Sequence, residues 1–443
     1  MNRSRGAVGV VFLCLVLVGC DGGARGAAVP PSAGAQVPAP DPSPRSAQPS
    51  LPIVPPTVAK MTTLRARIAA DPNSATALRD LGFVTLQRIR ETADPSLYAQ
   101  ADEAFDRARH LAPDDPLVLL GIGGLQLGRH EFADALRTAH AVLAELPDLP
   151  EARAIEIDAL VELGRYEDAD RAATSLATLH PDIVSLPRLS YVRELRGDID
   201  GAVEAMRAAA NSPGLAAENT AYVTSLLGSL LVHAGDPVAA RKAYEDALTV
   251  VPDHAPSIAG LGRLAVGGGD LADAIEHFKL ASMILPLPEY VIALGEAHEA
   301  SGNAPAAADS YALARAEIDL FEAAGTQVDL DLALFEADHG DATRALTLAT
   351  DAYRRAPMIR AADAVAWALH RLGRDEEARP HAEEAVRLGS RDPLLRYHRG
   401  AILVALGDRS GGSDDLRLAL EIDPGFSATG AAEAREILGD VGR

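Results

Sequence analysis

Cysteine is nearly missing from this chain. Its 443 residues include two, Cys14 and Cys20, both close to the N-terminus. Past residue 20 no thiol is left to act as nucleophile, to ligate zinc or an iron–sulfur cluster, or to pair in a disulfide. Aromatic residues are scarce as well, at 4%, with one tryptophan, Trp367. Alanine and leucine must therefore supply the packing of any core. Lysine occurs only at Lys60, Lys242 and Lys279, so arginine carries almost all of the positive charge. Acids still outnumber bases, 63 to 41, for a formal net charge of −22. That balance disfavours nucleic acid and anionic lipid surfaces as electrostatic partners. It suits a basic partner, and it equally suits plain solubility.

Catalytic signatures are absent too. The chain has no H-E-x-x-H, no G-x-S-x-G and no G-x-x-x-x-G-K-[ST]. Its 12 histidines are scattered, with none paired four residues apart. "DLDLALFEAD", Asp329 to Asp338, lacks the glycine and spaced oxygen ligands of an EF-hand loop. The expectation is a protein that is not an enzyme, with no cofactor, no metal site and no small-molecule substrate.

What is present begins at the N-terminus. Arg3 and Arg5 precede a short apolar run, Ala7 to Val18, too short to span a bilayer, which takes about 20 residues. Charged head and apolar core fit a secretory signal. Leu17-Val18-Gly19-Cys20 then resembles the bacterial lipobox, which implies cleavage before Cys20 and acylation of its sulfur and new amino group. The alternative is an ordinary signal peptide with a chance cysteine. Residues 1–19 read as a lipoprotein signal and residues 20–57 as a lipid-anchored tether. The tether is rich in Pro, Ala, Gly and Ser, with ten prolines from Pro30 to Pro56. Such a segment buries too little apolar surface to fold and favours extended polyproline II. The expected location is an exported, lipid-anchored position on a bacterial membrane. That is the periplasmic face in a Gram-negative cell, or the outer face of the cytoplasmic membrane in a Gram-positive one.

Residues 58–443 are repetitive. Gly164, Gly197, Gly235, Gly269, Gly302, Gly340, Gly373 and Gly407 recur every 33 to 38 residues. Five residues after each comes Ala169, Ala202, Ala240, Ala274, Ala307, Ala345, Ala378 or Gly412. Twelve after, seven of the eight carry alanine again, and Pro181, Pro252, Pro286, Pro357 and Pro424 stand seventeen after theirs. Each column has a reason. Glycine ends a first helix, where a left-handed residue is favoured. Alanine lets a second helix approach the first, and proline stops that second helix. The Asp or Asn that often follows the glycine can cap the next helix.

The pattern resembles the tetratricopeptide repeat. The fullest copies are Tyr222 to Asp253, with Leu227, Gly228, Ala240, Tyr244, Ala247 and Pro252, and the one that follows it, with Phe278 in the aromatic slot. The resemblance implies an all-α fold: an α-solenoid of about ten antiparallel helix pairs in a right-handed superhelix, from roughly Ala75 to Pro424. A half-repeat, Val58 to Ala70, precedes them, and a closing C-terminal helix, about Ala428 to Val441, follows. Departures from the repeat fall near Arg88 to Gln100, before Tyr222 and before Leu332. Ala314 to Gly325 reads as an over-long second helix, and Ser390 replaces a closing proline. Each should bend or offset the stack locally.

In that family the groove is lined from the first helix of each pair. In phase with the glycine, the candidates are Tyr191, Tyr222, Arg263, Glu289, Glu296, Glu299, Asp363, Trp367, His370, Arg371 and Tyr397, with Asp158, Glu162, Glu194 and His233 in the same register. Asp363, Trp367, His370 and Arg371 share one helical stripe, which points Trp367 at the groove, the alternative being packing between repeats. Glu289, Glu296 and Glu299 form an acidic stripe, which a solvated face would also explain. The resemblance implies a non-catalytic, membrane-tethered scaffold that binds a protein or peptide partner, for which a basic one fits, in the cell envelope. The alternative is a structural assembly factor of an envelope, secretion or polysaccharide-export complex, acting through its convex face or its ends.

Overall fold

The computed structural model describes residues 55–441. The signal sequence, Cys20 and the tether up to residue 54 lie outside the described residues. Among the described residues there are twenty-two helices, α1 to α22, and no strand. α1 (Pro56–Ala70) stands alone. Ten pairs follow. Their first helices are α2 (Ala75–Thr92), α4 (Pro116–Gly128), α6 (Pro150–Glu162), α8 (Leu186–Leu195), α10 (Ala217–His233), α12 (Ala255–Gly267), α14 (Pro288–Ala300), α16 (Asp329–His339), α18 (Ile359–Arg371) and α20 (Pro393–Ala405). Their second helices are α3 (Leu97–Leu111), α5 (Phe132–Glu145), α7 (Tyr166–Leu179), α9 (Ile199–Ala210), α11 (Pro237–Val250), α13 (Leu271–Ile284), α15 (Ala304–Ala323), α17 (Ala342–Arg355), α19 (Asp375–Ala385) and α21 (Arg409–Ile422). α22 (Gly430–Val441) closes the array. The fold is an α-solenoid of ten helix pairs.

The repeat columns do what their chemistry predicts. Seven of the eight turn glycines have φ between +71° and +88°. Gly340 departs, with φ −141°. There the Glu336 carboxylate fills the corner and accepts a hydrogen bond from the Asp341 amide at 2.9 Å. Asp198, Asp236, Asp270, Asn303 and Asp408 each accept a hydrogen bond from an amide three residues on, capping the second helix. The alanines five after the glycines are buried from Ala169 to Ala378. Aromatic residues, though few, are socketed between glycines. A Cβ on Gly228 would lie 2.6 Å from the Tyr244 ring, and one on Gly260, in the next pair, 2.4 Å from it. Phe105 sits likewise between Gly82 and Gly121.

Each pair packs on its neighbours, as a solenoid requires. Here it also packs on a pair one superhelical turn away. The Gln327 amide donates to the Arg129 carbonyl at 3.0 Å, and His130 Nδ1 lies 2.9 Å from the Gln327 carbonyl across 197 residues. The Ile359 amide donates to Tyr166 Oη at 2.8 Å across 193. Arg391 Nε donates to the His233 carbonyl across 158, and Ser427 Oγ to Glu296 Oε2 across 131. Met358, Ile359, Val386 and Leu395 share one buried core with Tyr166, Val192 and Leu195. The corners of the first turn therefore abut the inter-repeat loops of the second.

The sequence irregularities gather at this seam. Over-long α15 carries Phe321 onto the cluster of Ile89, Tyr98 and Phe105, the region of the first insertion. The extra residues before Leu332 include Gln327. Ser390, in place of the closing proline, lies buried beside Arg391.

Candidate functional site: an acidic chamber between two turns

Stacking the turns turns a groove into a chamber of about 500 Å³. Its wall is made by the first helices α6, α8, α10, α12 and α14 of one turn. The starts of α18 and α20 and residues 423–428 of the next turn close it. Ten carboxylate side chains line it against four arginines, among leucines, isoleucines and tyrosines.

The arginines are largely spoken for. Arg188 Nη2 bonds Asp158 Oδ2 at 2.6 Å, while its Nε and Nη1 serve the carbonyls of Ala154 and Val184. Arg360 reaches in from the second turn and feels Asp331, Asp392 and Glu162 together, beside Tyr191. Burial drives the Glu162 carboxyl up to about 7. Arg360 opposes that rise, and Asp158 and Asp331 add to it. Burial likewise raises Asp158, against the pull of Arg188. For His233 burial opposes protonation, but the 2.8 Å contact with Glu194, and the charges of Asp392 and Asp423, prevail and raise its pKa. The chamber is thus a low-dielectric space with more acid than its own bases neutralise.

Five of the sequence candidates line this chamber: Tyr191, Tyr222, Arg263, Glu289 and Glu296. Asp158, Glu162, Glu194 and His233 join them. Glu299 does not; its carboxylate accepts a hydrogen bond from Tyr311 at 3.0 Å. The expected stripe on α18 is corrected. Trp367 is 0% exposed and stacks between His398, at 4.0 Å, and His370, at 4.9 Å. Its Nε1 donates to Asp338 at 2.5 Å. Tyr397 is equally buried, and Asp363 holds His398 Nδ1 at 2.8 Å. His370 pairs with Asp375, and Arg371 lies over the Trp367 ring while donating to the Ala337 carbonyl. α18 is covered on nearly every side: Asp338 of α16 and Tyr397 and His398 of α20 close over Trp367, and its start meets Tyr166 at the seam. The residues missed from sequence, Arg360, Asp392 and Asp423, enter the chamber from the start of α18 and from the ends of α20 and α21 in the following turn. A repeat register carries no signal for them. Among the described residues no group of three or more His, Cys, Asp or Glu is placed to hold a metal ion.

The fold and chamber define a repeat protein of the α-solenoid class. Residues 225–282, which span most of the two fullest copies, match the tetratricopeptide repeat family model. A TPR repeat-containing protein of Pseudomonas aeruginosa is 34% identical over 85 residues, 19% of this chain and 13% of that protein's length. Among solved structures, the Cut9–Hcn1 hetero-tetramer of the APC/C is similar over 87% of this chain and 81% of its own, at 14% identity and a TM-score of 0.41. MamA is similar over 38% of this chain and 91% of its own, at 19% identity and a TM-score of 0.30. Similarity to the tetratricopeptide repeat is thus shown for residues 225–282, within a helix-pair array that runs through the described residues.

Proposed function

We propose that this chain is a membrane-tethered interaction scaffold of the bacterial envelope, held by a lipid on Cys20, and that its chamber receives a basic segment of a protein partner. The carrying observation is the excess of carboxylates over arginines in a partly enclosed, largely apolar space. A Lys or Arg chain offers an apolar stem and a cationic head, which matches that lining. The test is crosslinking–mass spectrometry on native membranes. Crosslinks from a partner's Lys- or Arg-rich stretch to chamber residues support the reading, and crosslinks confined to the outer helices refute it. Anchoring is tested by Cys20→Ala, which should move the protein from the membrane to the soluble fraction; continued sedimentation with membranes would sink the lipid assignment.

One observation favours the second reading, docking through the outer face. Leu280 and Met283 on α13, and Leu313 and Leu320 on α15, are 47–73% exposed on consecutive second helices. Charge substitution at Met283 and Leu320 that abolishes partner capture, with the chamber intact, would decide for it.

A further inference from the structure

The turns meet along a seam that an ordinary solenoid does not have. Polar contacts at separations of 131 to 197 residues are one part of it. The apolar core that joins Met358, Ile359 and Val386 to Tyr166 and Val192 is another. Backbone contact is the third. A Cβ on Gly425 would fall 2.5 Å from both the Arg263 carbonyl and the Gly267 amide nitrogen, so these strands of chain touch with no side chain between them. The over-long α15 and the inserted loop before α16 supply Phe321 and Gln327, which reach the first turn. Repeat irregularities placed where the turns meet are a device for closure, since regular repeats need none of them.

We infer that the seam is a permanent closure, and that the chamber is entered by a short basic stretch of chain without the seam parting, not by a folded surface laid into an opened groove. The second half rests on the basic-segment reading above. A volume of about 500 Å³ is that of a site for a drug-sized ligand or a few side chains. A folded domain does not fit it.

Two amides report the seam directly. Ile359 is the first residue of α18, where no carbonyl of its own helix can accept its hydrogen, and its acceptor is Tyr166 Oη across the seam. The Gln327 amide depends likewise on the Arg129 carbonyl. Hydrogen exchange on the full-length protein should find both as slow as the central amides of α18. Tyr166→Phe should release Ile359 alone. Exchange of both amides in the unaltered protein at the rate of exposed loops would overturn the closure.

Entry is tested in the full-length chain carrying Cys14→Ser, Cys20→Ser, His130→Cys and Gln327→Cys, oxidised and reduced. The probe is the capped peptide Arg-Leu-Arg-Leu, with Glu-Leu-Glu-Leu as control, followed by calorimetry. Equal affinity within twofold in both forms is expected. A tenfold loss on oxidation would show that the seam must open. If neither form binds the basic peptide, the basic-segment reading fails, and the closure is judged by amide exchange alone.

Discussion

Replacing Glu162 by Gln should stabilise the protein, by an amount that grows as pH rises from about 4.5 to 7 and then levels off. Glu162 sits in the chamber wall near Asp158 and Asp331, and its carboxyl is driven up to about 7 from an ordinary 4.5, first by burial and then by those two acids against Arg360. A folded-state value above the unfolded one means that the folded chain holds the proton more tightly. That stability is fully present below about pH 4.5 and is lost as pH rises through 7. The separation corresponds to about 3 kcal/mol, at 1.36 kcal/mol per unit. It is an upper figure, because the side chain keeps partial contact with solvent. Glutamine keeps the shape and never ionises. The variant should therefore match the natural protein near pH 4.5 and exceed it by up to that amount at pH 8.5. Urea unfolding followed by circular dichroism at the two pH values measures the difference. Midpoints that shift equally at both pH values, or not at all, would refute the reasoning, because a packing change has no reason to depend on pH.

Trp367→Phe should cost about 1–3 kcal/mol, since it leaves the buried Asp338 carboxylate without the Nε1 donor; thermal melting reads this, and the variant should leave partner capture unchanged. Gly260→Val should destabilise by about 1–3 kcal/mol or more through overpacking against Tyr244, and the paired change Tyr244→Leu should recover part of the loss. Asp236→Ala removes the cap on the Ala239 amide and should cost about 1 kcal/mol, visible as a lower urea midpoint.

Local chemistry was legible in the sequence and long-range closure was not. The glycine, alanine and proline columns report contacts inside a pair or between neighbours, where spacing along the chain determines spacing in space. The repeat register starts the array at roughly Ala75, where α2 begins; the half-repeat expected from Val58 to Ala70 is α1 from Pro56 to Ala70, and the closing helix expected from about Ala428 to Val441 runs from Gly430 to Val441. The chamber candidates from Asp158 to Glu296 follow from the same register, because they sit on first helices whose inner faces remain open. Trp367 follows the same helical arithmetic to the wrong surroundings. Its stripe points toward the groove side, but Asp338, Tyr397 and His398, from the first helices of the adjoining pairs, enclose the ring. The seam contacts are less legible still, because they depend on superhelical pitch, which accumulates from small rotations per repeat that no single column encodes. The irregularities did carry a signal. On the repeat register they imply local bends, whereas Phe321 and Gln327 use the extra length to touch residues about two hundred positions or more earlier.

The seam also bears on how such a chain can evolve. Arrays stabilised only by nearest neighbours tolerate gain or loss of a unit, because the remaining interfaces re-form unchanged. Here Tyr166 meets Ile359, and His130 meets Gln327, at fixed offsets of 193 and 197 residues. Deleting one helix pair between them would set Tyr166 opposite the wrong loop, and every other cross-turn pair spanning the cut with it. Copy number is therefore constrained by the geometry of the seam. Duplication and deletion, the ordinary currency of repeat families, are closed to the middle of this molecule and remain open only at its ends.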